Sequence, residues 1–76
     1  MDEQRRKARD YLNDASLSNY WDVVREAKIL DTDKPILDAR FIKGMCITQI
    51  AMEYNCSEEK VKAIIKRAYD KISKLI

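Results

Sequence analysis

The sequence predicts an all-α fold, a small single-domain bundle of four to five helices. The chain has 76 residues, which is enough for one domain with a small core. It contains one glycine and one proline, Gly44 and Pro35, and is rich in residues with high helix propensity. Its apolar side chains recur every three or four residues, the period of an amphipathic helix. We therefore treat residues 1–76 as one domain.

The composition argues against an enzyme. A core this small cannot hold a deep substrate cavity, and the chain contains no histidine to serve as a general base. Cys46 and Cys56 form no C-x-x-C pair, so we expect reduced, buried thiols and no metal or other cofactor. No apolar run approaches the roughly 20 residues of a membrane span. We expect a cytoplasmic protein without a membrane span.

Two helices are predicted in the N-terminal part, residues 1–32. The first covers residues 3 to 15, with an arginine cluster on its outer side and an inner face formed by Ala8, Tyr11, Leu12 and Ala15. The second covers residues 19 to 30, and its inner face contains Tyr20, Val23, Val24, Ala27 and Leu30. Trp21 lies beside this face and is predicted to anchor the core.

A third helix is predicted over residues 34 to 43. Asp33 is suited to cap it, and Pro35 is tolerated in its first turn because no helical hydrogen bond is lost there. Gly44 is expected to end it in the left-handed conformation. The apolar residues predicted to be buried are Ile36, Leu37, Phe41 and Ile42.

The stretch ITQIAMEYNCSEEKVKAII, residues 47 to 65, interrupts its helical pattern briefly at Asn55 and Cys56. A short helix over Ile47–Tyr54 is predicted, and Ser57 is suited to cap a following helix. Two short helices joined by about three residues cross steeply and need a small residue at the crossing, which Ala51 provides. The pattern is typical of a helix-turn-helix, and we assign residues 33–76 as its core.

The run GMCITQIAMEYNCSEEKVKAIIKRAYDKI, residues 44 to 72, resembles the DNA-binding unit of LuxR-type response regulators and of the fourth region of bacterial sigma factors. The resemblance rests on a glycine, an Ile-Ala pair, a serine followed by Val-Lys, and a closing Lys-Ile. Those positions are Gly44, Ile50, Ala51, Ser57, Val61, Lys62, Lys71 and Ile72.

The resemblance implies a small bacterial or bacteriophage transcription regulator that binds double-stranded DNA. Its recognition helix would begin after Ser57 and lie in the major groove. The residues implied to contact DNA are Thr48, Gln49, Ser57, Glu58, Glu59, Lys60, Lys62, Ala63, Lys66 and Arg67. The segment from Lys60 to Ile76 contains six bases and one acid, Asp70, which is consistent either with contact to a phosphate backbone or with a solvated helix face.

Two questions stay open at this level. The last helix is broadly apolar. Its apolar residues either form a homodimer seam or pack on the first two helices. They are Ile65, Tyr69, Ile72, Leu75 and Ile76. The helix-turn-helix could instead be a protein-binding adaptor for RNA polymerase or a host transcription factor. Acidic Glu58 and Glu59, with Ala63 and Ile65 nearby, are the features that favour this alternative.

Overall fold

The computed structural model describes residues 3–76 and confirms the all-α prediction. Within these residues there is no strand. None of the helices combines the length and the apolar character that crossing a bilayer requires. The helices are α1 (Glu3–Asp14), α2 (Leu17–Glu26), α3 (Lys34–Phe41), α4 (Ile47–Glu53) and α5 (Glu58–Ser73).

The core is built around one face of α5. Val61 and Ile72 at the two ends of this face are fully buried. Helix α1 packs along α5 and contributes Ala8 and Leu12, while α3 and α4 pack against α5 as well. The buried residues of α5 are Val61, Ile64, Ile65, Ala68, Tyr69 and Ile72. Their spacing of three and four residues places them on one side of the helix, so its other side is exposed.

Three aromatic rings connect α2 to α3 and α5. The ring centroid of Phe41 lies 6.3 Å from that of Tyr20 and 6.1 Å from that of Tyr69. The Tyr20 hydroxyl donates to Oδ1 of Asp38 at 3.0 Å. Burial of this hydroxyl, followed by the nearby Asp38 carboxylate, raises the pKa of Tyr20. Tyr20 therefore anchors α2 with its ring in the core and its polar end satisfied.

Helix α2 differs from its prediction at both ends. Ser16 caps it by accepting from the Asn19 backbone N–H at 3.2 Å, so it begins at Leu17. Lys28 takes a left-handed conformation with φ of 55°, and the helix ends at Glu26. The chain leaves the helix there, and Ile29 is buried in place of the predicted Leu30, which is 52% exposed.

The predicted role of Trp21 is wrong, because its side chain is 55% exposed. It lies about 100° around the helix from Tyr20, since successive residues of an α-helix are separated by that angle. The side of the helix that faces the core is the one occupied by Tyr20, Val23 and Val24.

Asp33 does not cap α3, because its own backbone is helical rather than extended and its side chain makes no capping hydrogen bond. Pro35 lies in the first turn as predicted, and Gly44 is left-handed with φ of 70°. Ile42 is 41% exposed, contrary to prediction, because α3 ends at Phe41. The two cysteines are free thiols, but Cys46 is exposed and Cys56 only half-buried.

The corner between α4 and α5 has the geometry of a left-handed helix end. Asn55 has φ of 54°, and the Cys56 N–H donates to the Ala51 carbonyl at 3.0 Å. This six-to-one hydrogen bond is the mark of a Schellman motif, for which asparagine is the usual substitute for glycine. Ala51 is 7% exposed, so its methyl group lies in the core at the corner.

Ala51→Leu should lower the free energy of unfolding by about 1 to 3 kcal/mol, because the added methyl groups enter a packed corner. The control is Ala63→Leu, which adds the same atoms at an exposed position of α5 and should change stability by no more than about 0.5 kcal/mol. Urea unfolding of both variants is the measurement. If the Ala51→Leu and Ala63→Leu variants were equally stable, Ala51 would have free space around it.

Lys28→Gly should raise the free energy of unfolding by about 0.5 to 1 kcal/mol, because glycine removes the left-handed penalty at the cost of a more flexible unfolded chain. Asn55→Gly should raise the free energy of unfolding by less, since asparagine tolerates the left-handed conformation. Lys43→Gly is the control, because Lys43 is exposed and is not among the residues with positive φ. Thermal unfolding should show that Lys43→Gly lowers stability. If Lys28→Gly lowers stability as well, the prediction is contradicted.

Candidate nucleic-acid interface

The first turn of α5 is fixed by its cap. The Ser57 backbone is extended, and its hydroxyl accepts from the Lys60 N–H at 3.1 Å. Glu58 and Glu59 follow, where negative charge is favourable at the positive end of the helix dipole. Ser57 therefore has the predicted capping role, in which its hydroxyl oxygen accepts a hydrogen bond from within the protein.

One exposed ridge runs along the N-terminal half of α5. Glu59, Lys62, Ala63 and Lys66 are all exposed, and their spacing of three and four residues places them on the same side of the helix. This side is opposite the core face. Within residues 3–76, neither Lys62 nor Lys66 has an ion-pair partner. We call these four residues the exposed ridge.

Thr48 links the two helices of the corner. Its hydroxyl donates to Oε1 of Glu58 at 2.9 Å. The predicted phosphate-binding hydroxyl is therefore used to hold the Glu58 carboxylate at the start of α5. Of the two acids proposed to accept from a base, Glu59 is the one on the exposed ridge.

Gln49 also has a contact within the chain that the sequence analysis missed. Its Oε1 accepts from the Cys46 backbone N–H at 3.1 Å, which closes the first turn of α4. The capping box is the sequence signal that could have revealed this contact, although cysteine is unusual at its first position. The side-chain NH₂ group of Gln49 is chemically able to donate elsewhere.

Lys60 and Arg67 lie on a different flank of α5 from Lys62 and Lys66. Arg67 Nη2 is 3.4 Å from Oδ2 of Asp33, whose side chain is 8% exposed. The pair connects α5 to the beginning of α3. Arg67 and Lys60 also border a cavity of about 440 Å³ whose lining includes Leu30, Pro35, Tyr54 and Ile64. Arg67 therefore has a structural contact beside the role implied by the resemblance.

The arginine cluster of α1 is only partly on an outer surface. Arg5 binds Asp70 with two hydrogen bonds, Nε to Oδ1 at 2.9 Å and Nη2 to Oδ2 at 3.1 Å. The hydrogen bond from Arg5 lowers the pKa of Asp70. The stability that this pair contributes is present above the ordinary pKa of 3.8 and is lost as pH falls through the lowered value. Arg9 pairs with its neighbour Asp10 at 3.1 Å.

The proposed homodimer seam is not an exposed surface. Ile65, Tyr69 and Ile72 are 5%, 7% and 0% exposed, because they pack within the chain. A seam through them would require the helices to separate. Leu75 and Ile76 are 45% and 42% exposed, and the homodimer hypothesis now depends on these two residues.

The comparisons with known proteins agree with this arrangement. The family model described as Sigma-70, region 4 matches residues 27–74, which is more than half of the chain. The match contains α3, the α4–α5 corner and the exposed ridge, while α1 and α2 precede it. No curated protein and no solved structure shows a significant match. The chain therefore belongs to the sigma-70 region 4 family of helix-turn-helix DNA-binding regions.

Proposed function

We propose that this protein binds double-stranded DNA with the N-terminal half of α5 in the major groove and thereby regulates transcription in a bacterium or a bacteriophage. The observation that carries the proposal is the exposed ridge. It presents two lysines that have no ion-pair partner among residues 3–76, on the second helix of a helix-turn-helix corner.

Lys62 and Lys66 supply the sequence-independent part of the binding. Each ammonium group that neutralises a phosphate releases condensed counterions, which makes affinity fall as salt rises. They are one turn apart, so both reach the same stretch of backbone. Lys60 and Arg67 extend the positive charge to the other flank of the helix.

Glu59 supplies the base contact in this proposal. A carboxylate in the major groove accepts from the cytosine amino group. Glu58 is less suited to that task because Thr48 already donates to it. The acids also repel phosphates, so the first turn of α5 would face base edges while the lysines face the backbone.

The adaptor alternative is a protein surface for RNA polymerase or a host transcription factor. It required Ala63 and Ile65 to be buried together by a partner. Ile65 is 5% exposed in the free chain, so it offers a partner almost no surface. Ala63 alone is a small apolar contact, and the charged ridge around it suits DNA better than the apolar centre of a protein interface.

Replacing both Lys62 and Lys66 by alanine should weaken binding to duplexes of every sequence. It should also shallow the slope of log affinity against log salt by up to about two units, since each phosphate contact contributes about 0.9. Fluorescence anisotropy with mixed-sequence duplex at several salt concentrations is the measurement. In the matched control, Lys71 and Lys74 are replaced by alanine, which removes the same charge from the C-terminal end of α5.

The control variant should lose less affinity, and its slope of log affinity against log salt should change less, because the N-terminal half of the recognition helix enters the groove. If wild-type protein shows no duplex binding at low salt, where electrostatic attraction is strongest, DNA binding is excluded and the adaptor function replaces it. Equal losses in the two double variants would mean that binding depends on net charge and not on the exposed ridge.

A further inference from the structure

Helix α1 lies outside the residues matched by the family model but touches the flank of the recognition helix. Its Arg5 holds both carboxylate oxygens of Asp70, at 2.9 and 3.1 Å. A bidentate contact between a guanidinium and both oxygens of a carboxylate holds the carboxylate in place and neutralises its charge more effectively than a single hydrogen bond. The contact joins residues 65 positions apart, so it exists only in the folded chain.

Asp70 is the only acid between Lys60 and Ile76. It follows Lys66 by four residues and therefore lies beside it on the helix surface. Left without Arg5, the carboxylate would attract the Lys66 ammonium group and repel a phosphate at the same place. With Arg5 in position, Lys66 has no ion-pair partner among the described residues.

The surface next to this ion pair is a cleft between α1, α5 and the beginning of α4. Its volume is about 370 Å³. Basic side chains form its rim, and apolar side chains form its floor. The lining residues are Arg5, Ile47, Lys62, Ile65, Lys66 and Tyr69. Among the described residues, the lining contains two lysines beside the Arg5–Asp70 ion pair and no unpaired acid, so the rim is complementary to a sugar-phosphate backbone.

We propose that α1 completes the DNA-binding surface: Arg5 is a positioning residue that neutralises Asp70, and the cleft beside it receives the phosphate backbone next to the recognition helix. The inference rests on the proposed DNA binding and extends it to a helix outside the family match. Arg5 acts through Asp70 and Lys66, and the phosphates are held by Lys62 and Lys66.

A double-mutant cycle in the full chain tests the inference, with binding to a mixed-sequence duplex as the measurement. Arg5→Gln uncovers Asp70 and should weaken binding about threefold to tenfold at low salt, with a smaller loss as salt screens the charge. Asp70→Asn should not weaken binding. The double variant Arg5→Gln with Asp70→Asn should return to within about twofold of wild type, because the two charges are removed together.

The exposed pair Asp22 and Arg25 on α2 is the matched control, since it has the same charges at 2.6 Å. Arg25→Gln should weaken binding less than Arg5→Gln does. Arg5→Lys keeps the charge and should stay near wild type, and thermal unfolding confirms that each variant is folded at the titration temperature.

Three results would overturn the inference. Equal effects of Arg5→Gln and Arg25→Gln would show that only net charge matters, and no effect of either would leave the cleft to a different ligand, such as an acidic protein segment. A double variant as weak as Arg5→Gln would mean that Arg5 binds phosphate itself. In each case wild-type duplex binding persists, which separates this failure from failure of the proposed function.

Discussion

Burial of one face of α5 is the interaction on which the rest of this structure depends. Helices α1, α3 and α4 each pack against it, and its buried face contains six residues of the core. Because the same helix turns its opposite side to solvent, the core determines which side chains form the exposed ridge. A change that rotates α5 in its packing would therefore move Lys62 and Lys66 as well, so stability and the proposed DNA recognition share one element.

Three polar contacts fix how α5 sits within this packing. Thr48 holds Glu58 at its start, Asp33 holds Arg67 along one flank, and Arg5 holds Asp70 on the other. All three join residues of α5 to different elements. Exposed ion pairs contribute little to stability, but these contacts decide which charged groups of the helix are occupied and which are available.

Charge on α5 is thus a property of the fold and not only of its sequence. Counting residues gives a basic segment with one acid. In the folded chain that acid is neutralised from α1, and one of the bases is engaged by buried Asp33, just before α3. Five bases of this segment have no ion-pair partner among the described residues, and two of them, Lys62 and Lys66, lie on the ridge opposite the core. In the proposed DNA binding, recognition therefore involves α1, which lies outside the family match, as well as α5 within it.

The helical pattern, the Ser57 cap, Gly44 and the Ala51 corner follow from the sequence, because periodicity, capping and backbone conformation are local properties that neighbouring residues determine. The sequence could not decide whether the apolar face of α5 forms a dimer seam or packs within the chain, and it placed Trp21 wrongly in the core, since an apolar face does not say what covers it. The partners of Arg5, Arg67 and Thr48 belong to the same class: they lie 65, 34 and 10 positions away. Only the packing of α1, α3 and α4 around α5 brought those side chains within hydrogen-bonding distance.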